Sequence, residues 1–304
     1  MKVLRFLGVL VLVVVALVFF YTWYRVYTSL HLHIQPDKEF VKRYSYLKYE
    51  ERSFTTSDGV KIASWYFPVT NPKAFVVVVH GYQLPNGTKT LMLGYAKLLR
   101  DAGYSSLLID LRSNGESPGN KISLGIEEWK DVVAAYDYLY ALPEAKGKKI
   151  GYLGVSMGAS TSIIAKGESG KGDFIIAYVP YASYNDLLDF KLKLESLPYF
   201  LFFPPLQMAS LMELGFNYEH YDPIKEIKNI HVPITLASAK YDVTVPPDGG
   251  KLLFEAANPP KDYWESESDH FYFVEHTEQF KGRVLEFLEK YTSENPKSQA
   301  PNFK

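Results

Sequence analysis

The chain has 304 residues, 47% of them hydrophobic, enough for one sizeable α/β core or two small domains. Its 33 basic residues nearly balance 34 acidic ones, so the formal net charge is −1 and nothing points to nucleic acid as a partner. It has no cysteine, which excludes disulfides, thiolate catalysis and cysteine-based metal sites.

Residues 6–24 carry no charge and are rich in Val, Leu, Ala and Phe. As a helix they span about 28 Å, close to the hydrocarbon thickness of a bilayer. Lys2 and Arg5 precede the run, and Tyr21, Trp23 and Tyr24 close it where an aromatic belt belongs. A cleaved signal peptide is the competing reading, but Thr22-Trp23-Tyr24-Arg25 is bulky and offers no small-x-small cleavage site. Residues 1–25 are therefore read as a single-pass anchor in the cell membrane. Two basic residues and the α-amine before the span, against Arg25 after it, predict that the rest of the chain is extracytoplasmic. Residues 26–45 read as a juxtamembrane linker.

Residues 46–291 read as one domain. The segments 46–54 and 60–67 alternate as two strands, joined by the turn signal Thr56-Ser57-Asp58-Gly59. A continuous apolar run at 75–79 suits a strand buried on both faces. Residues 88–102 follow as a helix with Leu91, Tyr95, Leu98 and Leu99 on one face. A strand at 104–109 and an amphipathic helix at 124–142 come next, then strands at 150–155 and 174–179. Residues 183–221 break the alternation. They are strongly apolar, helical in places, and interrupted at Pro198 and at Pro204-Pro205. This insertion reads as a cap over the strand ends. It can serve as a hydrophobic roof, as ordinary packing, or as a membrane-facing rim. Strands at 234–239 and 261–264 and a helix at 277–291 complete the domain, and residues 292–304 read as a flexible tail. Alternating strands and helices predict a mainly parallel central sheet flanked by helices on both faces.

The most informative motif is Gly154-Val155-Ser156-Met157-Gly158, between an apolar strand and a small-residue helix. A sharp strand-to-helix turn projects the serine hydroxyl, and side chains two residues to either side would collide with it. Gly115-Glu116-Ser117-Pro118-Gly119 has the same pattern, but Pro118 lacks the N–H that the residue after a nucleophile must donate. Ser156 is the candidate nucleophile and Ser117 a loop serine. A serine hydroxyl needs a base, and the base needs an orienting acid. Asp242 comes directly off the strand at 234–239, and His270 follows the next strand, leaving room between them for one helix and one strand. Asp248, Asp269 and His276 compete: Asp269 suits a turn and His276 an exposed helix start. The loop His80-Gly81-Tyr82-Gln83 is the second oxyanion element, with Tyr82 and Met157 as N–H donors, Gly81 allowing close approach and His80 bracing the loop. Asp110 and Arg112 can pair at the same rim. No pair of histidines shows metal-ligand spacing with a carboxylate.

His80-Gly81, Asp110-x-Arg112-x-x-Gly115-x-Ser117, Gly154-x-Ser156-x-Gly158, Asp242-x-x-Val245-Pro246 and Asp269-His270 together resemble the α/β-hydrolase superfamily. The similarity runs over about residues 46–290 and is to the branch of serine-aminopeptidase-like hydrolases, monoacylglycerol lipases and single-pass bacterial membrane hydrolases. Ser113-Asn114 depart from it, since that branch usually has a glycine after the arginine. The resemblance implies acyl transfer to water through a serine ester, with no metal and no organic cofactor. The resulting expectation is a membrane-anchored serine hydrolase with the triad Ser156, Asp242 and His270, cleaving an acyl ester or thioester of a hydrophobic, lipid-like substrate. A serine peptidase and a non-catalytic hydrolase-fold binding protein are the alternatives.

Overall fold

Every residue of the run Phe75–Val79 is buried, and its side chains alternate between two separate cores. Phe75, Val77 and Val79 join one core, Val76 and Val78 the other, as the two-residue period of a strand requires. The computed structural model describes residues 2–82 and 87–293. Its sheet comprises β1 (Glu50–Thr55), β2 (Lys61–Phe67), β3 (Phe75–Val79), β4 (Ser105–Ile109), β5 (Ile150–Val155), β6 (Ile175–Tyr178), β7 (Ile234–Ala239) and β8 (Lys261–Ser266). The spatial order is β1-β2-β4-β3-β5-β6-β7-β8. β1 and β2 form an antiparallel hairpin, β2 pairs antiparallel with β4, and the remaining pairs are parallel. This is the α/β-hydrolase fold expected from the sequence.

The helices are α1 (Lys2–Leu30), α2 (Lys38–Arg43), α3 (Leu93–Asp101), α4 (Trp129–Tyr140), α5 (Met157–Ser169), α6 (Tyr184–Leu194), α7 (Tyr199–Leu214), α8 (Pro223–Glu226), α9 (Gly249–Ala256), α10 (Tyr272–Glu275) and α11 (Lys281–Thr292). Helices α4, α5 and α9 cover one face of the sheet, and α3 and α11 the other. Helix α4 starts later than its periodicity predicts. The Glu128 carboxylate accepts hydrogen bonds from Ser123 N at 2.7 Å, Ser123 Oγ at 2.6 Å and Gly125 N at 2.7 Å, which hold residues 123–128 as a turn.

Two departures concern the N-terminal segment and the cap. The helix expected to end near residue 25 continues to Leu30, and α2, capped by Asp37 Oδ1 on the N–H groups of Glu39 and Phe40, occupies part of the expected linker. The cap insertion is the pair α6 and α7, broken at Ser196, Leu197 and Pro198 as predicted. It is not broken at Pro204-Pro205, which lie inside α7. Prolines there cost backbone hydrogen bonds, but Leu206 and Ala209 are buried against α1 and α6, and this packing outweighs the local preference. α1, α6 and α7 share a third core that includes Val26, Leu30, Tyr184, Leu188, Leu192 and Leu206. Among the described residues, α1 is the one helix long and apolar enough to cross a membrane, and its first 18 residues are almost all exposed. The expected tail lies from residue 294 onward outside the described residues.

Candidate active site

Ser156 stands between the end of β5 and the start of α5 with φ 57° and ψ −126°, a backbone conformation costly for a residue with a side chain. The flanking glycines explain how the turn is tolerated. A Cβ on Gly154 would lie 2.3 Å from the Gly158 carbonyl oxygen, and one on Gly158 would lie 2.3 Å from that of Val79. α5 therefore packs backbone to backbone against β3 and β5, and its first residue sits directly over the strand ends.

The serine meets two side chains from distant parts of the chain. His270 Nε2 is 2.9 Å from Ser156 Oγ, and His270 Nδ1 is 2.6 Å from Asp242 Oδ2. All three residues are buried. A carboxylate only accepts, so Nδ1 carries the proton and Nε2 is left to accept from the serine hydroxyl. Asp242 is itself held: its Oδ1 accepts from Thr244 N at 2.7 Å and Val245 N at 2.9 Å. Parallel pairing of β7 with β8 brings the loops after these strands together, which is why the acid and the base meet. In this arrangement an imidazole can take the serine proton while a buried carboxylate holds its tautomer.

The loop after β3 presses on the serine. A Cβ on Gly81 would lie 2.9 Å from Ser156 Cβ and 3.1 Å from the Val155 carbonyl oxygen. His80 is buried, and burial lowers its pKa, opposed by the charge of Asp110. Its Nδ1 donates to the Gly81 carbonyl at 2.8 Å and its Nε2 accepts from Leu111 N at 3.1 Å, which ties the loop after β3 to the loop after β4 and leaves the ring neutral. The backbone N–H groups of Tyr82 and Met157 have no acceptor among the described residues. Gln83 of the same motif lies outside them.

The neighbouring rim corrects one expectation. Asp110 and Arg112 do not pair. Asp110 bonds Lys89, through both the backbone N–H and the ammonium, whereas Arg112 forms ion pairs with Asp131 at 2.7 Å and Asp58 at 2.9 Å. The chain leaves β4 at Ile109 and turns at Arg112, so the two residues meet partners delivered by different elements. Ser117 is a brace, its Oγ donating to the Asp110 carbonyl at 2.7 Å and accepting from Ala63 N at 2.9 Å. Ser113, where a glycine resembles the family more closely, takes φ 64° and ties the loop shut through Lys121, donating to its carbonyl at 2.7 Å. Asp269 caps the turn at Phe271 and Tyr272, and His276 and Asp248 are exposed. His220 pairs with Glu168 at 3.0 Å, near Glu226, toward the C-terminal end of α5 and away from Ser156.

Ser156 opens on a cavity of about 490 Å³ roofed by α6 and α7. The charged residues on its wall are Arg25, Lys191 and Glu195, of which Arg25 and Glu195 form a two-pronged pair at 2.7 and 3.2 Å. Burial lowers the Lys191 ammonium below its usual range, opposed by Asp242 and Glu195. A second cavity of about 20 Å³ lies against Gly81, Ser156 and His270. Sequence reading missed the contribution of α1, whose Thr22, Val26 and Leu30 line the larger cavity. Their four-residue spacing was visible, but the charge at Arg25 marks the end of the uncharged run and hides a helix that continues.

Residues 34–190 match the X-Pro dipeptidyl-peptidase (S15) family. The Bacillus subtilis protein YqkD is 25% identical over 304 residues, covering 95% of this chain and 97% of its own. The Pyrococcus furiosus esterase Pf2001 superposes with a TM-score of 0.68 at 24% identity, over 86% of this chain and all of that one. The Pyrococcus horikoshii acylaminoacyl peptidase does so with a TM-score of 0.63 at 18% identity, over 86% of this chain and 44% of that one. These two structural likenesses bear on fold. With its strand order, its elbow and the family match over half its length, the chain is an α/β hydrolase and belongs to the X-Pro dipeptidyl-peptidase (S15) family.

Proposed function

We propose that the protein is a membrane-anchored serine hydrolase that cleaves acyl esters or thioesters of hydrophobic, lipid-like substrates. The carrying observation is the hydrogen-bonded series Ser156, His270 and Asp242, with Ser156 opening on an apolar cavity of about 490 Å³. Ser156 Oγ attacks the acyl carbon while His270 Nε2 takes its proton, and the N–H groups of Tyr82 and Met157 receive the developing oxyanion. His270 then protonates the departing alcohol or thiol. Water enters, His270 takes one of its protons, and the acid leaves as Ser156 Oγ is reprotonated. The cavity of about 20 Å³ beside His270 has room for about one such water.

Arg25 and Glu195 neutralise each other, and Lys191, the remaining charged residue on the wall among the described residues, suits a neutral or anionic substrate better than the ammonium of a peptide N-terminus. The family name and the peptidase likeness favour a peptidase as second reading. The anchor reading draws on the exposed apolar surface of α1 and on α7 beside it, where Phe200 is 82% exposed, Phe216 just beyond it 86%, and Met208 and Met212 are exposed as well.

The test is labelling of the folded, full-length protein with an alkyl fluorophosphonate, followed by turnover of nitrophenyl esters and aminoacyl amides. Labelling at Ser156 with ester turnover is expected. Faster amide turnover would favour the peptidase, and absence of labelling would overturn both. The loop after β3 gives a finer test. Gly81→Ala adds a methyl group that must push the loop off Ser156, and kcat is expected to fall about a hundredfold, as when one oxyanion donor is lost.

A further inference from the structure

We infer that the last two and a half turns of α1 are part of the active site: they form one wall of the acyl pocket, and the substrate's hydrocarbon chain lies along Thr22, Val26 and Leu30. This rests on the serine-hydrolase reading above and adds the class of substrate, an ester with a medium or long apolar acyl chain. The three residues recur every fourth position, so they make a single stripe down one side of the helix. They are 2%, 6% and 2% exposed, although most of α1 before them is exposed. Across the same cavity stand Leu188 and Leu192 of α6 and Leu206 of α7, with Ser156 at its floor. A pocket of about 490 Å³ is within the usual range for sites that enclose a whole small ligand and is far larger than an acetyl group needs.

The wall is held in register with the catalytic centre. Val26 and Leu30 belong to the cap's own core. Trp23 Nε1 donates to Glu213 of α7 at 3.0 Å, and Ile122 N donates to the Leu30 carbonyl at 2.8 Å. The Tyr82 hydroxyl donates to the Ser29 carbonyl at 2.9 Å, so the residue whose N–H points to oxyanion binding grips α1 with its side chain. An anchor serving only as a tether needs none of these contacts.

The absence of cysteine supplies the test, because Val26→Cys creates a sole thiol with little change in size. The full-length variant in phospholipid nanodiscs is treated with an ethyl or a dodecyl fluorophosphonate. The Ser156 Oγ–P bond forms, fluoride leaves and the hydroxyl proton passes to His270. A methanethiosulfonate reagent then reports the thiol, with Val9→Cys in the lipid-facing part of α1 as the comparison. The dodecyl adduct is expected to slow modification at position 26 at least about fivefold relative to the ethyl adduct, because such pockets cover some 70–90% of a ligand's surface. Position 9 is expected to react equally in both. Equal rates at position 26 with Ser156 fully labelled would overturn the wall and leave the hydrolase reading standing. Failure of both probes to label Ser156 would overturn the hydrolase reading and this inference with it.

Discussion

Ser156→Ala is expected to lower kcat for ester hydrolysis about a millionfold, leaving the residual rate that binding and oxyanion contacts alone supply. The fold should be unchanged, since the serine hydroxyl bonds His270 and the turn is shaped by Gly154 and Gly158. Asp242→Asn is expected to cost about ten-thousandfold, because an amide in place of the carboxylate favours the wrong imidazole tautomer. The informative comparison is the double variant. If the three groups act as one unit, Ser156→Ala with Asp242→Asn is no slower than Ser156→Ala alone. Steady-state assays with purified full-length protein, checked by active-site titration for contaminating esterase, decide the matter. Ester turnover that survives Ser156→Ala at the wild-type rate would remove the proposed mechanism.

The largest expected effect on stability lies at Lys89, not at Ser156, Asp242 or His270. Its side chain is almost fully buried, with the ammonium bonded to Asp110 and Glu116 and 4.7 Å from the Trp65 ring centroid. Asp110 is fully buried and also accepts from the N–H groups of Lys89 and Glu116 at 2.9 Å each. Lys89→Met keeps the apolar stem but removes the positive charge, leaving a buried carboxylate unpaired. Such a change costs about 3–5 kcal/mol. Chemical unfolding in detergent, followed by tryptophan fluorescence, should show the midpoint fall accordingly. Adding Asp110→Asn to Lys89→Met should recover a large part of the loss, because the penalty comes from the stranded charge. A midpoint equal to wild type for Lys89→Met would show that water reaches Asp110.

Lys89 illustrates what was hidden in the sequence. An ion pair between Asp110 and Arg112 was the natural reading of two opposite charges two residues apart. The actual partners of Asp110 and Arg112 come from residue 89 and from residues 58 and 131, each delivered by another element. The same holds for Pro204 and Pro205: local chemistry predicts a break, and burial of one face of α7 against α1 keeps the helix whole. The expected linker after residue 25 is in part a continuing helix for a related reason, since Val26 and Leu30 find a core to enter.

What the amino-acid sequence determined by itself is whatever depends on neighbours along the chain. The strand at 75–79, the elbow at Ser156, and the order of serine, acid and histidine are written in local apolar runs, paired glycines and loops that end strands. These are short-range constraints of backbone sterics and side-chain period. Tertiary structure alone decided the roof, the partners of the buried charges, and the placing of the end of the apolar helix α1 as a wall beside Ser156. Those features depend on which distant surfaces meet, and the free energy of burying Val26 or pairing Lys89 exists only once they do.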